Sequence, residues 1–434
     1  SLLFHPVSCF PMNTPSPQVA SGFDPVTTSD RFVLLDALRA LALVGVCFAN
    51  LEWFTGYRLV PMAFIEHWPL VDKVTMQLSQ LFIDGKAFGL FSLLFGVGFA
   101  VQLHRAEARG TNGARFFARR LGILLMIGAV HALLLWYGDI LQLYALVGFA
   151  LLLFRHYSDR ALLRWGVGLS LMGFLVNLGW HQMVPALPAA TYDAHMDHAV
   201  RTFAGPSYGA TLAANLDMIW EDQVLSWGPP VAGCWILARL LLGYCFGRWA
   251  MRTGFFQNPA AYARPLRRLF GWALVVGLGG GLLLRAVSVL LLAHRLNPDG
   301  YLVLMREVLR DPANLALSVA YAAGFGLLAL RARWAAALGV LAPMGQMALT
   351  NYLVQTLVGL WLCYGYGLGL GLIGHIGPFA SVGVCAAEVL AQLAFSHWWM
   401  RRFRFGPAEW LWRSLSYGHW QRLRRPIPAL VAFG

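Results

Sequence analysis

The chain has 434 residues, of which 58% are hydrophobic and only 12% are charged. So few charged side chains cannot cover a soluble domain of this length, whereas a membrane protein needs about 20 apolar residues for each spanning helix. The composition therefore predicts an all-α, polytopic integral membrane protein. The net charge of +13 would suggest nucleic acid in a soluble protein, but here it is attributed to membrane topology and no nucleic-acid partner is expected.

Apolar runs of spanning length recur along the chain and divide it into segments. Residues 1–30, rich in Pro and Ser, are predicted to be a disordered leader. About ten transmembrane helices follow, in an N-terminal five-helix half (31–180) and a C-terminal five-helix half (231–400), with a periplasmic segment (181–230) between them. Residues 401–434 are predicted to form a cytoplasmic amphipathic tail. The predicted spans are 34–55, 81–103, 121–137, 139–154, 162–180, 231–250, 271–293, 314–330, 338–364 and 379–400.

Positive charges between the predicted spans indicate the orientation of the chain. Most of these Lys and Arg residues fall on the side that holds the two termini. Cytoplasmic loops carry the excess of such residues in membrane proteins. Both termini are therefore predicted to be cytoplasmic, which requires an even number of spans.

The first span contains polar residues that a lipid-facing helix would not tolerate. Asp36 and Arg39 lie one turn apart, and Asn50 follows Arg39 by eleven residues. Arg39 and Asn50 therefore lie on one face of the helix, with about 16 Å between them. This stripe is interpreted as the start of a functional site. The alternative is an interfacial ion pair at Asp36 and Arg39, with Asn50 bonding a neighbouring helix.

Four more ionisable residues mark the second span and the third–fourth hairpin. Asp84 and Lys86 begin the second span, where Asp84 is expected either to neutralise the lysine or to cap the helix. His131 lies deep in the third span and Asp139 in the turn of the hairpin, ahead of Tyr144. A histidine titrates near neutrality and could move a proton. The alternative is a core histidine with satisfied hydrogen bonds and a capping aspartate.

The C-terminal half carries polar residues that are interpreted as mostly structural. Arg239, Arg285 and Glu388 lie in the middle of predicted spans. Glu388 is expected to pair with one of the two arginines, because an unpaired charge would be costly there. A polar cluster on the ninth span comprises Gln346, Thr350, Asn351, Tyr352 and Gln355.

No metal site is predicted from the cysteines or the histidines. The six cysteines form no CxxC pair, so neither a zinc site nor a disulfide framework is indicated. The stretch Asp193-Ala-His195-Met-Asp197-His198 could bind a metal, but a solvated acidic loop is the preferred interpretation because no further ligand is evident.

Five stretches of the chain resemble the YeiB-like family of bacterial inner-membrane proteins. They extend from about residue 34 to 418 in the order found in that family, and they read LDALRALALVGVCFAN, FGLFSLLFGVGFA, HALLLWYGDILQLYALVG, MGQMALTNYLVQ and FGPAEWLWRSLSYG. The resemblance implies a multi-pass protein of the bacterial inner membrane.

That family in turn resembles the transmembrane acyltransferases, which include heparan-α-glucosaminide N-acetyltransferase and the acyltransferase-3 enzymes. In acyltransferase-3 enzymes the first helix carries an arginine, ten residues and then a catalytic histidine, and the glucosaminide enzyme has asparagine in place of that histidine. Arg39 and Asn50 match the second pattern, while Ala40 departs from the usual glycine. His67 is the nearest candidate for the glucosaminide enzyme's catalytic histidine, and Asp84 for the aspartate that begins its second helix.

The resemblance implies transfer of an acetyl-like acyl group from cytoplasmic acyl-CoA to a hydroxyl or amine of a glycan or other small acceptor at the outer face. Asn50 would bind the thioester carbonyl or its oxyanion. His131 or His67, oriented by Asp84 or Asp139, would take the proton of the acceptor. The remaining assignments are Arg39, Arg119 and Arg120 for the CoA phosphates, and Lys86, Tyr144 and Asn351 for the substrate.

Several alternatives stay open at this point. Direct transfer and a covalent acyl-histidine are both compatible with these residues. A transporter or flippase of a small anionic or lipid-linked molecule would bind it with Lys86, Arg239 and Arg285 and relay protons through His131 and Asp139. A third alternative is a non-catalytic membrane protein. Membrane lipid is an expected partner, and a homodimer is compatible with the sequence.

Overall fold

The computed structural model describes residues 32–59, 65, 67–110, 112–183, 189–220, 228–292 and 301–425. The predicted leader and parts of the predicted periplasmic segment lie outside these residues. The described residues form helices and loops, with one isolated antiparallel bridge between Phe403 and Arg424. The all-α prediction is confirmed for this part of the chain.

The helices fall into three groups along the chain. The N-terminal group is α1 (Val33–Phe54), α2 (Leu70–Phe82), α3 (Lys86–Ala108), α4 (Gly113–Leu134), α5 (Leu141–Leu153) and α6 (Asp159–Met183). Two helices follow in the predicted periplasmic segment, α7 (Ala189–Ala204) and α8 (Tyr208–Ile219). The C-terminal group is α9 (Gly228–Thr253), α10 (Ala263–Leu292), α11 (Tyr301–Ala329), α12 (Ala332–Gln346), α13 (Ala348–Cys363), α14 (Pro378–Arg402) and α15 (Pro407–Tyr417).

Eight helical stretches among the described residues are long and apolar enough to cross a membrane. They include α1, α4, α9 and α14, so the prediction of a polytopic membrane protein is confirmed. Two of the predicted spans correspond to shorter apolar helices, α5 with 13 residues and α13 with 16.

Two predicted boundaries are wrong. The predicted span 338–364 consists of two helices, because the backbone leaves the helical region at Met347, four residues after Pro343. The predicted span 81–103 is preceded by α2, and the chain turns at Gly85, whose φ of 75° lies in the left-handed region that glycine adopts without strain.

Glycines on α3 and α12 allow these helices to pack closely against the backbones of α9 and α1. A Cβ atom at Gly96 of α3 would overlap the carbonyl oxygen of Leu240 on α9, and one at Gly345 of α12 would overlap the carbonyl oxygen of Asp36 on α1. Small residues at such crossings are typical of helix packing in membranes.

We expect Gly96→Ala to lower the free energy of unfolding by about 1–3 kcal/mol, because the added methyl group must push α3 away from α9. Thermal unfolding in detergent measures this effect. The matched control is Gly122→Ala, since nothing lies within 4 Å of a Cβ atom built at Gly122. Equal stability of the two variants would contradict the close contact.

Candidate functional site

A cavity of about 350 Å³ lies in the bundle between α1, α3, α4, α5, α13 and α15. It extends to the end of the bundle at which α1, α4 and α13 begin, which we call the basic end. Its volume falls within the range of about 300–1,000 Å³ that is usual for small-molecule sites. The cavity is therefore large enough to hold part of an organic ligand.

Positive charge dominates the cavity at the basic end. Two carboxylates line it, and both have partners: Asp36 pairs with Arg39 at 2.6 Å, and Glu409 accepts hydrogen bonds from the backbone nitrogens of Leu349 (2.6 Å) and Thr350 (3.1 Å). Six arginines line the same cavity. They are Arg39, Arg105, Arg109, Arg120, Arg404 and Arg413. The excess of guanidinium groups makes this end suited to an anion.

The interior of the cavity is apolar. Between the arginines and the deep end, its walls come from α1, α3 and α4 and consist of Leu43, Val46, Phe88, Phe91, Leu94, Phe95, Leu121 and Leu124. A ligand that matches both parts has an anionic head and a less polar arm. Its charge would then be paired with the arginines, and no charged group would be buried in the apolar part.

Two tyrosines line the cavity near its deep end. The Tyr144 hydroxyl lies 2.6 Å from Ser92 Oγ and donates to the Phe88 carbonyl oxygen at 3.0 Å, so its hydrogen bonds are local. The Tyr352 hydroxyl donates to Asp139 Oδ1 at 3.4 Å. Tyr352 is therefore the cavity-lining residue that connects the deep end to the buried pair described next.

His131 and Asp139 form a buried pair behind Tyr352. Nδ1 of His131 lies 2.9 Å from Oδ1 of Asp139, and its Nε2 lies 2.9 Å from the Thr356 hydroxyl. Asp139 Oδ2 also accepts a hydrogen bond from the backbone nitrogen of Gln142 at 3.0 Å. Asp139 thus caps α5 and lies within ion-pair distance of the imidazole, whose Nδ1 makes no hydrogen bond among the described residues. A histidine next to a carboxylate can act as a general base.

Asn50 lies one helical turn beyond the cavity. It is 4% exposed, and its Nδ2 finds no hydrogen-bond acceptor among the described residues. Val46, four residues earlier, still lines the cavity, so the separation along α1 is about 6 Å. A buried amide donor without an acceptor costs free energy, and such a group requires an explanation.

Helix register places Asn50 at the depth of His131. Phe54 packs against Gly359 of α13, and α1 and α13 both run away from the basic end. Asn50 lies one turn before Phe54, and Gln355 lies one turn before Gly359. The next residue, Thr356, is hydrogen-bonded to His131. Asn50, Thr356 and His131 are therefore level with one another, just beyond the deep end.

The predicted site residues divide into two sets. Arg39, Arg120 and Tyr144 line the cavity, while His131 and Asp139 reach it through Tyr352. The structure places the other predicted site residues outside it: Asn50 lies one turn beyond its deep end, and Arg119, His67, Asp84, Lys86 and Asn351 do not line it.

The residues of the second set other than Asn50 lie in several environments. Arg119 is exposed, and so is His67, which lies in the loop before α2. Asp84 pairs with Arg58 at 2.9 Å, rather than with the buried Lys86, which donates to the Gln80 carbonyl oxygen at 2.6 Å. The Nδ2 of Asn351 donates to the Met344 carbonyl oxygen and to Ser396 Oγ, at 3.1 Å each, so Asn351 joins α12, α13 and α14.

The expected pairing of Glu388 with an arginine is wrong. Arg239 pairs with Asp311 of α11, and Arg285 donates to Gln80. Glu388 accepts instead from the Cys47 thiol at 3.5 Å and from Gln392 at 3.4 Å. Within the described ranges, no group of three or more His, Cys, Asp or Glu residues is close enough together to hold a metal ion.

Sequence reasoning missed the contribution of α15, which was predicted to be a peripheral tail. Trp412, Arg413 and Tyr417 line the cavity, and Glu409 caps the start of α13. Burial raises the pKa of Glu409, although the hydrogen bonds from Thr350 and Leu349 act in the opposite direction. The signal available in the sequence was the acidic residue in FGPAEW, which is out of place in a helix that only lies on an anionic membrane surface.

Comparisons with known proteins find relatives of the same length. Residues 250–419 match a family described as a protein of unknown function, DUF418. The chain is 32% identical over 424 residues to the uncharacterized protein YxaH of Bacillus subtilis (strain 168), covering 93% of this chain and 99% of YxaH. It is 31% identical over 400 residues to the uncharacterized protein YeiB of Escherichia coli (strain K12), covering 89% and 96% respectively. No solved structure matches the chain.

Proposed function

The chain belongs to the family of YxaH and YeiB, and from the geometry of its cavity we propose that it is a transmembrane acyltransferase. It transfers an acetyl-like acyl group from cytoplasmic acyl-CoA to a hydroxyl or amine acceptor at the outer face of the bacterial inner membrane. One observation carries the proposal: a cavity with an arginine-rich end and an apolar interior stops one helical turn short of Asn50 and is joined through Tyr352 to the His131–Asp139 pair.

The orientation of the bundle follows from its charges. With α5 and α13 counted as spans, the chain crosses the membrane about ten times, and the positive-inside rule places the basic end and both termini in the cytoplasm. This orientation gives acyl-CoA access to the arginines from the compartment in which it is made. His131, Asp139 and Asn50 then lie in the outer half of the bundle.

The donor fits the cavity in one direction. Guanidinium groups bind phosphate oxygens with paired N–H donors, so the CoA phosphates lie at the basic end among arginines that include Arg39 and Arg120. The less polar pantetheine arm follows the apolar wall formed by α1, α3 and α4. The thioester then reaches the deep end, next to Tyr352, and its carbonyl extends toward the Asn50 side chain one turn further along α1.

The reaction uses the buried polar groups at that end. The acceptor oxygen or nitrogen bonds to the thioester carbon while its proton passes to His131, and Asn50 donates its unpaired N–H to the developing oxyanion. The carbon–sulfur bond then breaks, and the thiolate takes the proton from His131 and leaves as CoA thiol. Asp139 keeps the imidazole oriented and stabilises its protonated form.

The opposite end of the bundle offers a polar approach for the acceptor. Arg58 pairs there with Glu52 at 2.8 Å and with Asp84 at 2.9 Å, and Arg58 and Asp84 remain partly accessible. In this proposal Asp84 and Lys86 therefore bind the acceptor near the outer face, and neither takes part in the proton transfer.

Adjacent arginines supply a matched test of donor binding. We expect Arg120→Gln to weaken CoA binding by about 10- to 100-fold, because a charge-assisted hydrogen bond contributes about 1.5–3 kcal/mol. Arg119→Gln is the control, since Arg119 is exposed and outside the cavity. Titration calorimetry with the full-length protein in nanodiscs measures both. Equal affinities for the two variants would contradict CoA binding at the basic end.

The same amphiphilic cavity is the observation that favours the second candidate, a transporter or flippase of a lipid-linked phosphate. The two functions are separated by assaying acyl-CoA hydrolysis, acyl transfer and solute movement with one preparation in liposomes. Protein that moves a lipid-linked phosphate and neither binds CoA nor consumes acyl-CoA would replace the acyltransferase proposal by transport.

A further inference from the structure

Three arginines from three separate helices meet in the cavity at the basic end. Arg39 belongs to α1, Arg120 to α4 and Arg413 to α15, and all three line the cavity. Burial lowers the pKa of Arg413, and the nearby charge of Arg39 lowers it further, while Tyr417, Glu409 and Asp36 act in the opposite direction. Like charges have therefore been brought together in a partly desolvated place.

Each guanidinium is held in place and still has unused donors. Arg39 pairs with Asp36 at 2.6 Å, and Arg120 donates to Gln102 Oε1 at 2.9 Å. The Arg413 guanidinium stacks over the Phe405 ring at 4.8 Å and donates no hydrogen bond within the part of the chain that the structure describes. An arginine has five N–H donors, so most of the donors in this trio are available to a ligand.

The nearby carboxylates do not neutralise the trio. Asp36 can balance one charge, and Glu409 is used by the backbone nitrogens of Leu349 and Thr350 and by the Thr350 hydroxyl at 2.6 Å. Converging cations are costly without a counter-charge. A phosphate group supplies two negative charges and several acceptor oxygens, which guanidinium groups bind in pairs.

Several contacts hold α15 in the position from which Arg413 lines the cavity. The Trp412 indole nitrogen donates to the Arg120 carbonyl oxygen at 2.9 Å, and the Trp412 ring lies 4.3 Å from the Arg120 guanidinium carbon. The Tyr417 ring lies 4.9 Å from that of Phe116 on α4. The helix thus forms one wall of the site, and its Arg413 lines the same cavity as the other two arginines.

We infer that Arg39, Arg120 and Arg413 form a phosphate subsite, in which the C-terminal helix α15 supplies an essential third arm. The inference deepens the proposed function, because the phosphates of CoA would be its occupants there. The chemistry it recognises is a terminal phosphate or pyrophosphate, which a nucleotide and an anionic phospholipid can both provide. Ligand binding at this subsite also ties α15 to α1 and α4.

The test compares Arg413→Gln with Arg422→Gln in the full-length protein, in nanodiscs of phosphatidylcholine. Arg422 is an exposed arginine of the same tail and does not line the cavity. The probes are CoA and inorganic pyrophosphate by calorimetry, and phosphatidic acid added to the nanodiscs as a competitor. We expect Arg413→Gln to weaken CoA and pyrophosphate binding about tenfold, and Arg422→Gln to leave both within twofold.

Hydrogen exchange of residues 407–417 provides a second readout. Pyrophosphate should slow exchange of these amides in the wild type and not in Arg413→Gln. If Arg413→Gln does not fold, Arg413→Lys replaces it, because a lysine keeps the charge but loses the paired donors, and an intermediate affinity is then expected. Competition by phosphatidic acid would support the subsite and identify a lipid as its occupant.

The results for the subsite and for the enzyme can be separated. Unchanged binding of CoA and pyrophosphate by Arg413→Gln, or unchanged exchange at 407–417 on adding pyrophosphate to the wild type, would overturn the subsite even if the protein transfers acyl groups. Arg413-dependent pyrophosphate binding by a protein without acyl transfer would support the subsite and remove the proposed function alone.

Discussion

Replacement of His131 by asparagine is expected to lower kcat for acyl transfer by about 10²–10⁴-fold, the usual contribution of a general base. Asparagine keeps a polar side chain of similar size opposite Thr356 but cannot accept and return a proton. The KM for acyl-CoA should change little, because His131 does not line the donor cavity. Steady-state kinetics with a radiolabelled acyl donor measures both parameters.

Two further variants show whether the effect is specific to the pair. Asp139→Asn should also reduce kcat, since it weakens the orientation of the imidazole at 2.9 Å. His397→Asn is the matched control, because His397 lies on α14, away from the cavity, with its Nδ1 2.9 Å from its own helix's Leu393 carbonyl oxygen. A fully active His131→Asn enzyme would assign the pair to packing alone.

Asp311→Leu is expected to lower the free energy of unfolding by about 3–5 kcal/mol, the usual cost of removing one partner of a buried ion pair. Arg239 and Asp311 are 8% and 7% exposed, so the substitution leaves a guanidinium without its counter-charge inside the bundle. The double variant Arg239→Met with Asp311→Leu should recover most of the stability, because the buried charge is then gone. Unfolding in mixed detergent micelles, with the wild type and both variants under one condition, measures the difference.

An exposed ion pair provides the comparison. Arg252 pairs with Asp159, and its side chain is 54% exposed, so Arg252→Gln should cost only about 0–1 kcal/mol. If Asp311→Leu were as mild as Arg252→Gln, or if the double variant were no more stable than the single one, the pair would not be the buried electrostatic link between α9 and α11 that its geometry indicates.

Local sequence patterns predicted the parts of this protein that depend on local physics. Long apolar runs located the spanning helices, since a bilayer requires about 20 such residues. The short connection between the third and fourth spans predicted a hairpin, and the proximity of His131 and Asp139 follows from it. The spacing from Arg39 to Asn50 predicted a shared face of α1; Arg39 and Val46 line the cavity, whereas Asn50 lies one turn beyond it.

The remaining features depend on contacts between distant parts of the chain. Glu409 caps a helix that begins about sixty residues earlier, and nothing in either segment specifies the other. Arg239 likewise finds Asp311 and not Glu388, because the choice depends on how α9, α11 and α14 are arranged. Arg119 and Arg120 are neighbours on one helix and differ by about 100° in direction, so only the packing of α4 determines which of them faces the cavity.

The short helices α5 and α13 have a consequence for the membrane itself. At about 1.5 Å per residue, their 13 and 16 residues span roughly 20 and 24 Å, whereas a typical hydrocarbon layer is about 30 Å thick. In the proposed ten-span topology, lipid tails next to these helices therefore compress or give way to water. Both helices border the cavity, so in that topology the layer between the cavity and the opposite aqueous phase is thinner than the surrounding bilayer.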